Sequence, residues 1–272
     1  MPQTIFITGS SSGMGRDMVH YFAEKGWNVA ATMRNPSRDG TELLSLGSVK
    51  TYALDVTESD SVKAVIDEAI SDFDGIDVIV NNAGVGQFGP FEGASEAQID
   101  QQIAVNLKGP MTVIKEILPH FRSRKAGVIV NITSIGGRIT MPLNSVYHGM
   151  KWGLEGLTEA LSYELRPFGI TLKLIAPGGV KTDFAGRSLT RTKVDLDPEY
   201  ERQTESFLEV AGKRSENWSE PRIVSEVVFQ AITDGSDKLR YTAGADAAMM
   251  WEARQKMSNE EWINMMSTNF GF

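Results

Sequence analysis

The chain has 272 residues, of which 41% are hydrophobic and 23% are charged, close to the average for globular proteins, and this composition excludes a disordered or fibrous chain. Its 27 Lys and Arg residues against 35 Asp and Glu residues give a net charge of −8, so the overall field repels nucleic acid and anionic lipid, and we expect neither as a partner. The chain has no Cys, which excludes disulfides and thiolate chemistry and fits a reducing compartment, so we expect a cytoplasmic protein.

The chain carries no pattern typical of a metal site or a membrane span. Its three His residues, at 20, 120 and 148, are not paired at the spacing of metal ligands, so we expect no bound metal. No apolar run reaches about 18 residues, the length needed to cross a membrane as a helix. The first residues run directly into a Gly-rich turn, which indicates that they belong to the fold and not to a signal peptide.

Short apolar and β-branched runs alternate with amphipathic stretches along the chain. The runs predict strands at 3–8, 28–33, 49–56, 77–80, 128–132, 171–175 and 240–242. The stretches predict helices at 14–25, 61–73, 97–121, 146–165, 222–232 and 247–266. A Gly-rich loop is expected at 84–93, a kink at Pro110, and weak helical signal around 198–211 in an otherwise irregular region, 183–220.

Strands that alternate with helices favour parallel pairing, and right-handed crossovers then place helices on both faces of one sheet. No repeat, low-complexity tract or linker divides the chain. We therefore expect a doubly wound α/β architecture in a single domain over 1–272.

The turn after the first predicted strand fits an anion. Glycines allow a phosphate to approach the backbone closely, and the helix that begins near Gly13 offers free N–H groups. An ordinary Gly/Ser-rich loop is the alternative, but the position between a strand and a helix favours a binding turn. The turn reads Thr8-Gly9-Ser10-Ser11-Ser12-Gly13-Met14-Gly15.

This spacing resembles the Thr-Gly-x3-Gly-x-Gly turn of the short-chain dehydrogenase/reductase family, and the resemblance extends over nearly the whole chain. Further motifs of the family follow in the same order between the expected elements: Asn81-Asn82-Ala83-Gly84, Asn106, Ser134, the Tyr-x3-Lys pair Tyr147 and Lys151, and Pro177-Gly178 with Thr182. The resemblance implies a Rossmann-like, nucleotide-binding fold and an oxidoreductase with a nicotinamide cofactor.

The resemblance also implies catalytic roles for four residues. Tyr147 would exchange a proton with the substrate oxygen, Ser134 would stabilise charge on that oxygen, Lys151 would bind the nicotinamide ribose, and Asn106 would hold a water behind Lys151. Because Tyr147 and Lys151 are one helical turn apart, we expect the ammonium to lower the pKa of the phenol from its ordinary value of about 10. The alternative is a half-buried structural tyrosine beside a solvated lysine.

The cofactor site implied by the resemblance includes the glycine turn and the ends of several strands. Its expected members are Gly9, Ser11, Ser12, Gly13, Met14, Gly15, Arg34, Asp55, Val56, Asn82, Ala83, Gly84, Tyr147, Lys151, Pro177, Gly178, Val180 and Thr182.

The end of the second strand favours NADP(H). Members of the family that select NAD carry an acidic residue there, which binds the ribose diol. This chain has Met33 followed by Arg34, and an arginine can grip a 2′-phosphate. Against this, Arg34 could be a solvated loop residue, and Ser12 stands where many NADP-using relatives have a basic residue.

Two regions are candidates for substrate recognition. Relatives carry a mobile substrate loop at the position of 183–215, where Phe184, Leu189 and Phe207 could face substrate or simply pack. The Met- and Trp-rich tail, 246–272, is typical of a core or an interface, or of an adaptable cover that favours bulky hydrophobic carbonyls. Relatives usually dimerise through the helices at 97–121 and 146–165, so we expect a homodimer or homotetramer.

The sequence therefore predicts an NADPH-dependent carbonyl reductase (ketoreductase), or alcohol dehydrogenase in reverse, that acts on a small-molecule hydrophobic ketone or aldehyde. A dehydratase or epimerase on the same scaffold is an alternative, although such relatives usually have longer chains and a different glycine spacing. A nucleotide-sensing protein without turnover is a second alternative, but a sensor does not require the proton donor Tyr147.

Overall fold

A seven-stranded, fully parallel sheet runs through the computed structural model, which describes residues 2–272 apart from the side chains of Ala185 and Arg214. Met1, the first residue of the expected domain, lies outside the described residues. Its strands are β1 (Thr4–Ile7), β2 (Asn28–Met33), β3 (Val49–Ala53), β4 (Val78–Asn81), β6 (Gly127–Ile132), β7 (Ile170–Pro177) and β9 (Arg240–Ala243), while β5 (Gly86–Phe88) and β8 (Leu189–Arg191) form a separate two-stranded sheet. The strands of the large sheet stand in the order β3-β2-β1-β4-β6-β7-β9.

Helices cover both faces of the large sheet. They are α1 (Gly13–Glu24), α2 (Pro36–Asp39), α3 (Ser59–Phe73), α4 (Glu96–Ile103), α5 (Gly109–Arg124), α6 (Ser145–Leu165), α7 (Phe184–Arg187), α8 (Pro198–Ser215), α9 (Arg222–Thr233), α10 (Ala245–Gln255) and α11 (Asn259–Phe270). One core layer joins the sheet to α1 and α9, and the other joins it to α3, α5 and α6. The predicted doubly wound α/β architecture is confirmed.

The sheet reverses its direction of growth between β1 and β4, which pair side by side. All four residues of β1 are buried, as expected for a central parallel strand covered on both faces. At such a reversal the loops that follow the two strands separate and leave a crevice beyond their carboxyl ends. The glycine turn after β1 and the Asn-Asn-Ala-Gly segment after β4 therefore meet at one place.

The long helix predicted at 97–121 is three consecutive pieces. A π-helical turn, Ala104–Lys108, separates α4 from α5. Its bond from the N–H of Gly109 to the carbonyl of Ala104 spans five residues. Pro110 has no N–H to donate to the residue four positions earlier, so the regular bonding pattern is interrupted there. The helix is interrupted next to Pro110, where a kink was predicted, but the interruption is a π-helical turn.

Two predicted loops contain additional structure. The predicted Gly-rich loop at 84–93 contains β5, and the irregular region at 183–220 contains α7, β8 and α8. The strands β5 and β8 pair in parallel, with Gln87 opposite Thr190. This pairing attaches the expected substrate loop to the segment that follows β4.

The tail predicted as one helical stretch forms two helices, α10 and α11. A capping box at Ser258 begins α11, and in it the hydroxyl of Ser258 accepts a hydrogen bond from the N–H of Glu261. The ring of Phe270 stacks on Phe207 of α8 with a centroid separation of 4.7 Å. Ser206 donates to the carbonyl of Phe270, so the tail is fixed to the expected substrate loop. Among the residues that the structure describes, no helix is long and apolar enough to cross a membrane.

Candidate active site

The glycine turn after β1 adopts a conformation that only glycine allows. Gly9 and Gly13 have φ values of +71° and +55°, in the left-handed region where a Cβ atom causes strain. A Cβ atom on Gly9 would lie 2.8 Å from the Cα of Ala83, and one on Gly15 would lie 2.2 Å from the carbonyl oxygen of Gly9. The turn is therefore folded tightly at the N-terminus of α1, which leaves room for an anion against the backbone.

The segment after β4 is attached to this turn by hydrogen bonds. The Nδ2 atom of Asn82 donates to the carbonyls of Thr8 and Gly9 at 2.9 and 3.0 Å. The Oγ1 atom of Thr8 accepts from the backbone N–H groups of Asn82 and Ala83, each at 3.0 Å. The two predicted motifs therefore form one rigid unit.

A cleft of about 350 Å³ runs along the carboxyl ends of the strands. Most of the predicted site residues line it: Gly9, Ser11, Ser12, Gly13, Met14, Gly15, Arg34, Asp55, Val56, Asn82, Ala83, Gly84, Asn106, Tyr147, Lys151 and Thr182. Phe184, which was expected to face substrate or to pack, also lines the cleft. The lining further includes residues that were not predicted as site residues: Met33, Leu54, Thr57, Val85, Gln101, Val105, Ile132, Thr133 and Ser188. Their position directly after or beside a strand end was the signal that could have identified most of them.

Four predicted residues are not among those that line the cleft. Ser134 contacts Tyr147 through a hydrogen bond. Pro177 ends β7, and the N–H of Gly178 donates to the carbonyl of Ala243 at 3.0 Å. Val180 forms a β-bridge with Ser219. These backbone contacts join the end of β7 to β9 and to the segment before α9.

The cleft has three parts that could hold an extended dinucleotide. One end is formed by the strand ends after β2 and β3, the middle by the glycine turn, and the other end by Tyr147 and Lys151. Thr182 lies against the middle section, because a Cβ atom on Gly13 would lie 3.2 Å from its side chain. The tight glycine turn at a helix N-terminus, open to this cleft, has backbone N–H groups of the kind that bind a phosphate.

Arg34 lies exposed at the end of the cleft near β2. The preceding residue, Met33, is buried, and its Sδ atom lies 3.0 Å from where a Cβ atom on Gly40 would stand. The neighbouring carboxylate, Asp39, accepts two hydrogen bonds from Arg38 at 2.9 and 2.8 Å, and these bonds lower the pKa of Asp39. This end of the cleft therefore presents a cation and no unpaired carboxylate at the position after β2.

Tyr147 and Lys151 lie one turn apart on α6, as predicted. The Nζ atom of Lys151 lies 5.8 Å from the centroid of the Tyr147 ring and donates to the carbonyl of Ile132 at 3.1 Å. Lys151 is only 6% exposed, so the alternative of a solvated lysine is wrong. Burial lowers the pKa of Lys151 to about 8.

The prediction for the pKa of Tyr147 is wrong for this structure. Burial raises the pKa of the phenol, and the hydrogen bond with Ser134 acts in the opposite direction. The ammonium of Lys151 lies over the ring face instead of beside the hydroxyl, and the loss of water around the buried phenol disfavours the phenolate. In this state Ser134 is the group that makes the phenol more acidic.

Asn106 lies in the π turn between α4 and α5. Its Oδ1 atom accepts from the N–H of Val85 at 3.0 Å, while its Nδ2 atom donates to the carbonyl of Val85 at 2.7 Å and to Gln102 at 2.8 Å. A Cβ atom on Gly84 would lie 3.2 Å from Oδ1 of Asn106 and 3.8 Å from Nζ of Lys151. The structure thus brings Asn106 and Lys151 together beside Gly84.

A buried acidic residue on α6, Glu155, escaped the sequence reasoning. It accepts from the hydroxyl of Thr133 at 2.8 Å, from Arg138 at 3.3 Å and from Arg240 at 2.8 Å. A Glu one helical turn beyond Lys151 reads as an ordinary surface residue in the sequence, because its two arginine partners come from distant segments.

Comparison with known proteins is consistent with this geometry. Residues 3–193 match the family described as short chain dehydrogenase. An uncharacterized oxidoreductase of Schizosaccharomyces pombe is 36% identical over 237 residues, which cover 85% of this chain and 96% of the relative. A 3-ketodihydrosphingosine reductase of Bacteroides thetaiotaomicron is 33% identical over 246 residues, which cover 89% of this chain and 88% of the relative.

A solved structure of a short-chain dehydrogenase from Streptomyces avermitilis superimposes with a TM-score of 0.85 at 25% identity, and the match covers 99% of this chain and 96% of that one. The family match spans well over half of the chain and includes the glycine turn and the Tyr-x3-Lys pair. The chain therefore belongs to the short-chain dehydrogenase/reductase family and is an oxidoreductase that uses a nicotinamide cofactor.

Proposed function

We propose that this protein is an NADPH-dependent carbonyl reductase that acts on a hydrophobic ketone or aldehyde, and that it catalyses the reverse alcohol oxidation. The observation that carries the proposal is the position of Tyr147 and Lys151 in the same cleft as the glycine turn, with Ser134 hydrogen-bonded to the phenol. A protein that only sensed the nucleotide would have no need of this second cluster.

When bound, the dihydronicotinamide would supply the hydride that adds to the carbonyl carbon. As the carbon–oxygen π bond breaks, Tyr147 donates its phenolic proton to the oxygen, and the product is an alcohol. Ser134 donates a hydrogen bond to the same oxygen and stabilises its developing negative charge. Lys151 would bind the nicotinamide ribose, and Asn106, which lies beside Gly84 as Lys151 does, would hold the water that returns a proton toward Tyr147.

The preference for NADPH rests on Arg34. Its exposed guanidinium stands at the end of the cleft where a 2′-phosphate would lie, and Arg38 already neutralises the nearby Asp39. A guanidinium binds phosphate through two parallel hydrogen bonds. No acidic residue at the end of β2 supports binding of the unphosphorylated ribose.

Arg34→Ala is expected to lower kcat/KM for NADPH by about 10- to 100-fold, because the charge-assisted contact with the phosphate is lost. The value for NADH should change by less than about twofold, since the diol makes no such contact. Arg166→Ala, which removes an exposed arginine outside the cleft, is the matched control. A wild-type enzyme that prefers NADH would contradict the proposed cofactor.

The substrate side of the cleft is bounded by Phe184 of α7 and by Ser188. We propose that the region 183–215 acts as the substrate loop and that its apolar side chains favour a hydrophobic carbonyl compound. One relative is named a reductase of 3-ketodihydrosphingosine, a ketone, which supports this substrate class. The tail does not form the expected apolar cover of the cleft, because no residue of α10 or α11 is among the described residues that line it.

The proposed activity is tested by incubating the purified protein with NADPH and a panel of aldehydes, aliphatic and aryl ketones, steroids and sugars. We expect loss of NADPH absorbance with hydrophobic ketones or aldehydes and little with sugars. Matched hydrophobic and polar ketones of similar size serve as the internal comparison. Turnover confined to sugars would refute the substrate class, and a complete lack of turnover across the panel would refute the carbonyl reductase.

We also propose that the protein forms a homodimer or homotetramer through α4, α5 and α6. These helices leave large apolar side chains partly exposed on the described surface, and the set comprises Ile103, Met111, Trp152 and Tyr163. Large exposed apolar side chains on neighbouring helices are the kind of surface that a subunit interface would cover.

A further inference from the structure

The segment between Ser134 and Tyr147 lies between α6 and the two C-terminal helices. Ile135 and Ile139 are buried in a core cluster with Trp262, Met266 and Phe270 of α11. The indole N–H of Trp262 donates to the carbonyl of Thr140 at 3.2 Å. The tail therefore packs on the segment that directly follows Ser134.

Ser134 itself is held by a short 3₁₀ turn, Ile135–Gly137. Its hydroxyl oxygen accepts from the N–H of Gly136 at 3.0 Å, and its carbonyl accepts from the N–H of Gly137 at 2.8 Å. Gly137 is pressed against α6, because a Cβ atom there would lie 3.1 Å from the carbonyl of Lys151 and 3.2 Å from Cγ of Glu155. A shift of this turn therefore moves the serine hydroxyl relative to α6.

Glu155 anchors the chain on both sides of Ser134. Its Oε1 atom accepts from Thr133, the residue before the serine, at 2.8 Å, and from Arg138, four residues after it, at 3.3 Å. Glu155 lies on α6 two turns beyond Tyr147, so this carboxylate ties the serine segment to the helix that carries the phenol. Arg240 of β9 holds the other oxygen at 2.8 Å.

Arg138 links this anchor to the tail. Its guanidinium is almost fully buried, and its Cζ atom lies 5.7 Å from the centroid of the Trp251 ring on α10. The Nη2 atom has no hydrogen-bond partner among the described residues. The ring face of Trp251 therefore shields a guanidinium that water would otherwise compete for.

Resting on the proposed function, we propose that α10 and α11 position the catalytic serine: Trp251 holds Arg138 on Glu155, and this contact keeps Ser134 in hydrogen-bonding distance of Tyr147. Arg138 and Trp251 are positioning residues that touch neither substrate nor cofactor. The tail would then contribute to the proton-transfer step from behind the active site, and its role would not be to cover the pocket.

The test compares Trp251→Ala with Trp251→Phe, which keeps an aromatic face for Arg138. For Trp251→Ala, we expect kcat for carbonyl reduction to fall about 10- to 100-fold, because a small misplacement of a catalytic group has effects of that size. Trp251→Phe should restore kcat to within about threefold of the wild type. Met249→Ala, which truncates a side chain of the same helix that is 66% exposed, should leave kcat unchanged.

Two readouts separate positioning from a general loss of stability. The Kd of NADPH should not change, because Trp251 is not among the described residues that line the cleft. In alcohol oxidation, the pH profile of kcat/KM should move to higher pH for Trp251→Ala, since the bond with Ser134 lowers the pKa of Tyr147. The other titratable side chains beside the phenol, Lys151 and His148, remain in place.

A crystal structure of Trp251→Ala gives a readout that does not depend on turnover, and it should show the Ser134–Tyr147 hydrogen bond lengthened or lost. If the variant does not fold, Arg138→Met takes its place, since it removes the same link from the other side. A folded variant with wild-type kcat, pH profile and Ser134–Tyr147 distance would overturn the inference.

Tyr147→Phe, measured in parallel, separates the two possible failures. If Tyr147→Phe retains full turnover, the proposed function is wrong. If Tyr147→Phe is inactive while Trp251→Ala matches the wild type in all readouts, only the positioning role is wrong.

Discussion

Tyr147→Phe is expected to lower kcat for carbonyl reduction by about 10²- to 10⁴-fold, the usual contribution of a positioned general acid. The substitution removes only the hydroxyl that exchanges a proton with the substrate oxygen. The ring stays under the ammonium of Lys151, so the Kd of NADPH should change by less than about threefold. Steady-state kinetics with NADPH and fluorescence titration of the cofactor measure the two effects separately.

Tyr21→Phe is the matched control, because Tyr21 lies on α1 and is not among the described residues that line the cleft. It should behave as the wild type in both measurements. Retention of full activity by Tyr147→Phe would exclude the assigned role of the phenol and would favour a nucleotide-binding protein without this chemistry.

Lys151→Met is expected to inactivate the enzyme and to stabilise the fold at neutral pH. Burial lowers the pKa of Lys151 from 10.5 to about 8, so the folded protein bears the cost of a buried ammonium below pH 8. A pKa difference of this size lowers the free energy of unfolding of the wild type at neutral pH by up to about 3 kcal/mol. Between pH 8 and 10.5, Lys151 binds a proton in the unfolded chain but not in the folded chain. The free energy of unfolding of the wild type therefore increases as the pH rises through this range. The stability advantage of Lys151→Met decreases accordingly.

Denaturant unfolding of both proteins at pH 7 and pH 10 measures this effect. The hydrogen bond from Lys151 to Ile132 offsets part of the gain, because its loss leaves a buried carbonyl without that donor. Lys256→Met, at an exposed position in an ion pair with Glu252, should change the free energy of unfolding by less than about 1 kcal/mol. If Lys151→Met is destabilised at pH 7 by as much as at pH 10, the pKa of Lys151 is not lowered.

The sequence was sufficient for the sheet and for the motifs that are contiguous in the chain. Buried parallel strands read as short apolar runs, and the bounds of β2 agree with the prediction to the residue. The glycine turn and the Tyr-x3-Lys pair could be located because the geometry of each is local. The glycine turn needs positive φ values at Gly9 and Gly13. The Tyr-x3-Lys pair needs only one turn of helix.

The remaining features depend on contacts between distant segments. The raised pKa of Tyr147 results from burial by surrounding elements, whereas the sequence shows only that a lysine follows four residues later. The partners of Glu155 come from two separate segments, the stretch between β6 and α6 and the strand β9. Helical periodicity likewise gave one continuous helix through Asn106, because the pattern of apolar residues does not distinguish a π turn from an α turn.

The π turn at Ala104–Lys108 has a consequence for the length of this part of the chain. A π turn accommodates one residue more than an α turn, and Asn106, which lies in this turn, bonds both the N–H and the carbonyl of Val85. Deleting one residue of the turn would rotate α4 by about 100° relative to α5, so that Asn106 could not keep these bonds while both helices keep their packing. Unlike the surface loops around it, this turn should tolerate neither insertions nor deletions, and homologous enzymes that keep the asparagine should keep the same residue count between α4 and α5.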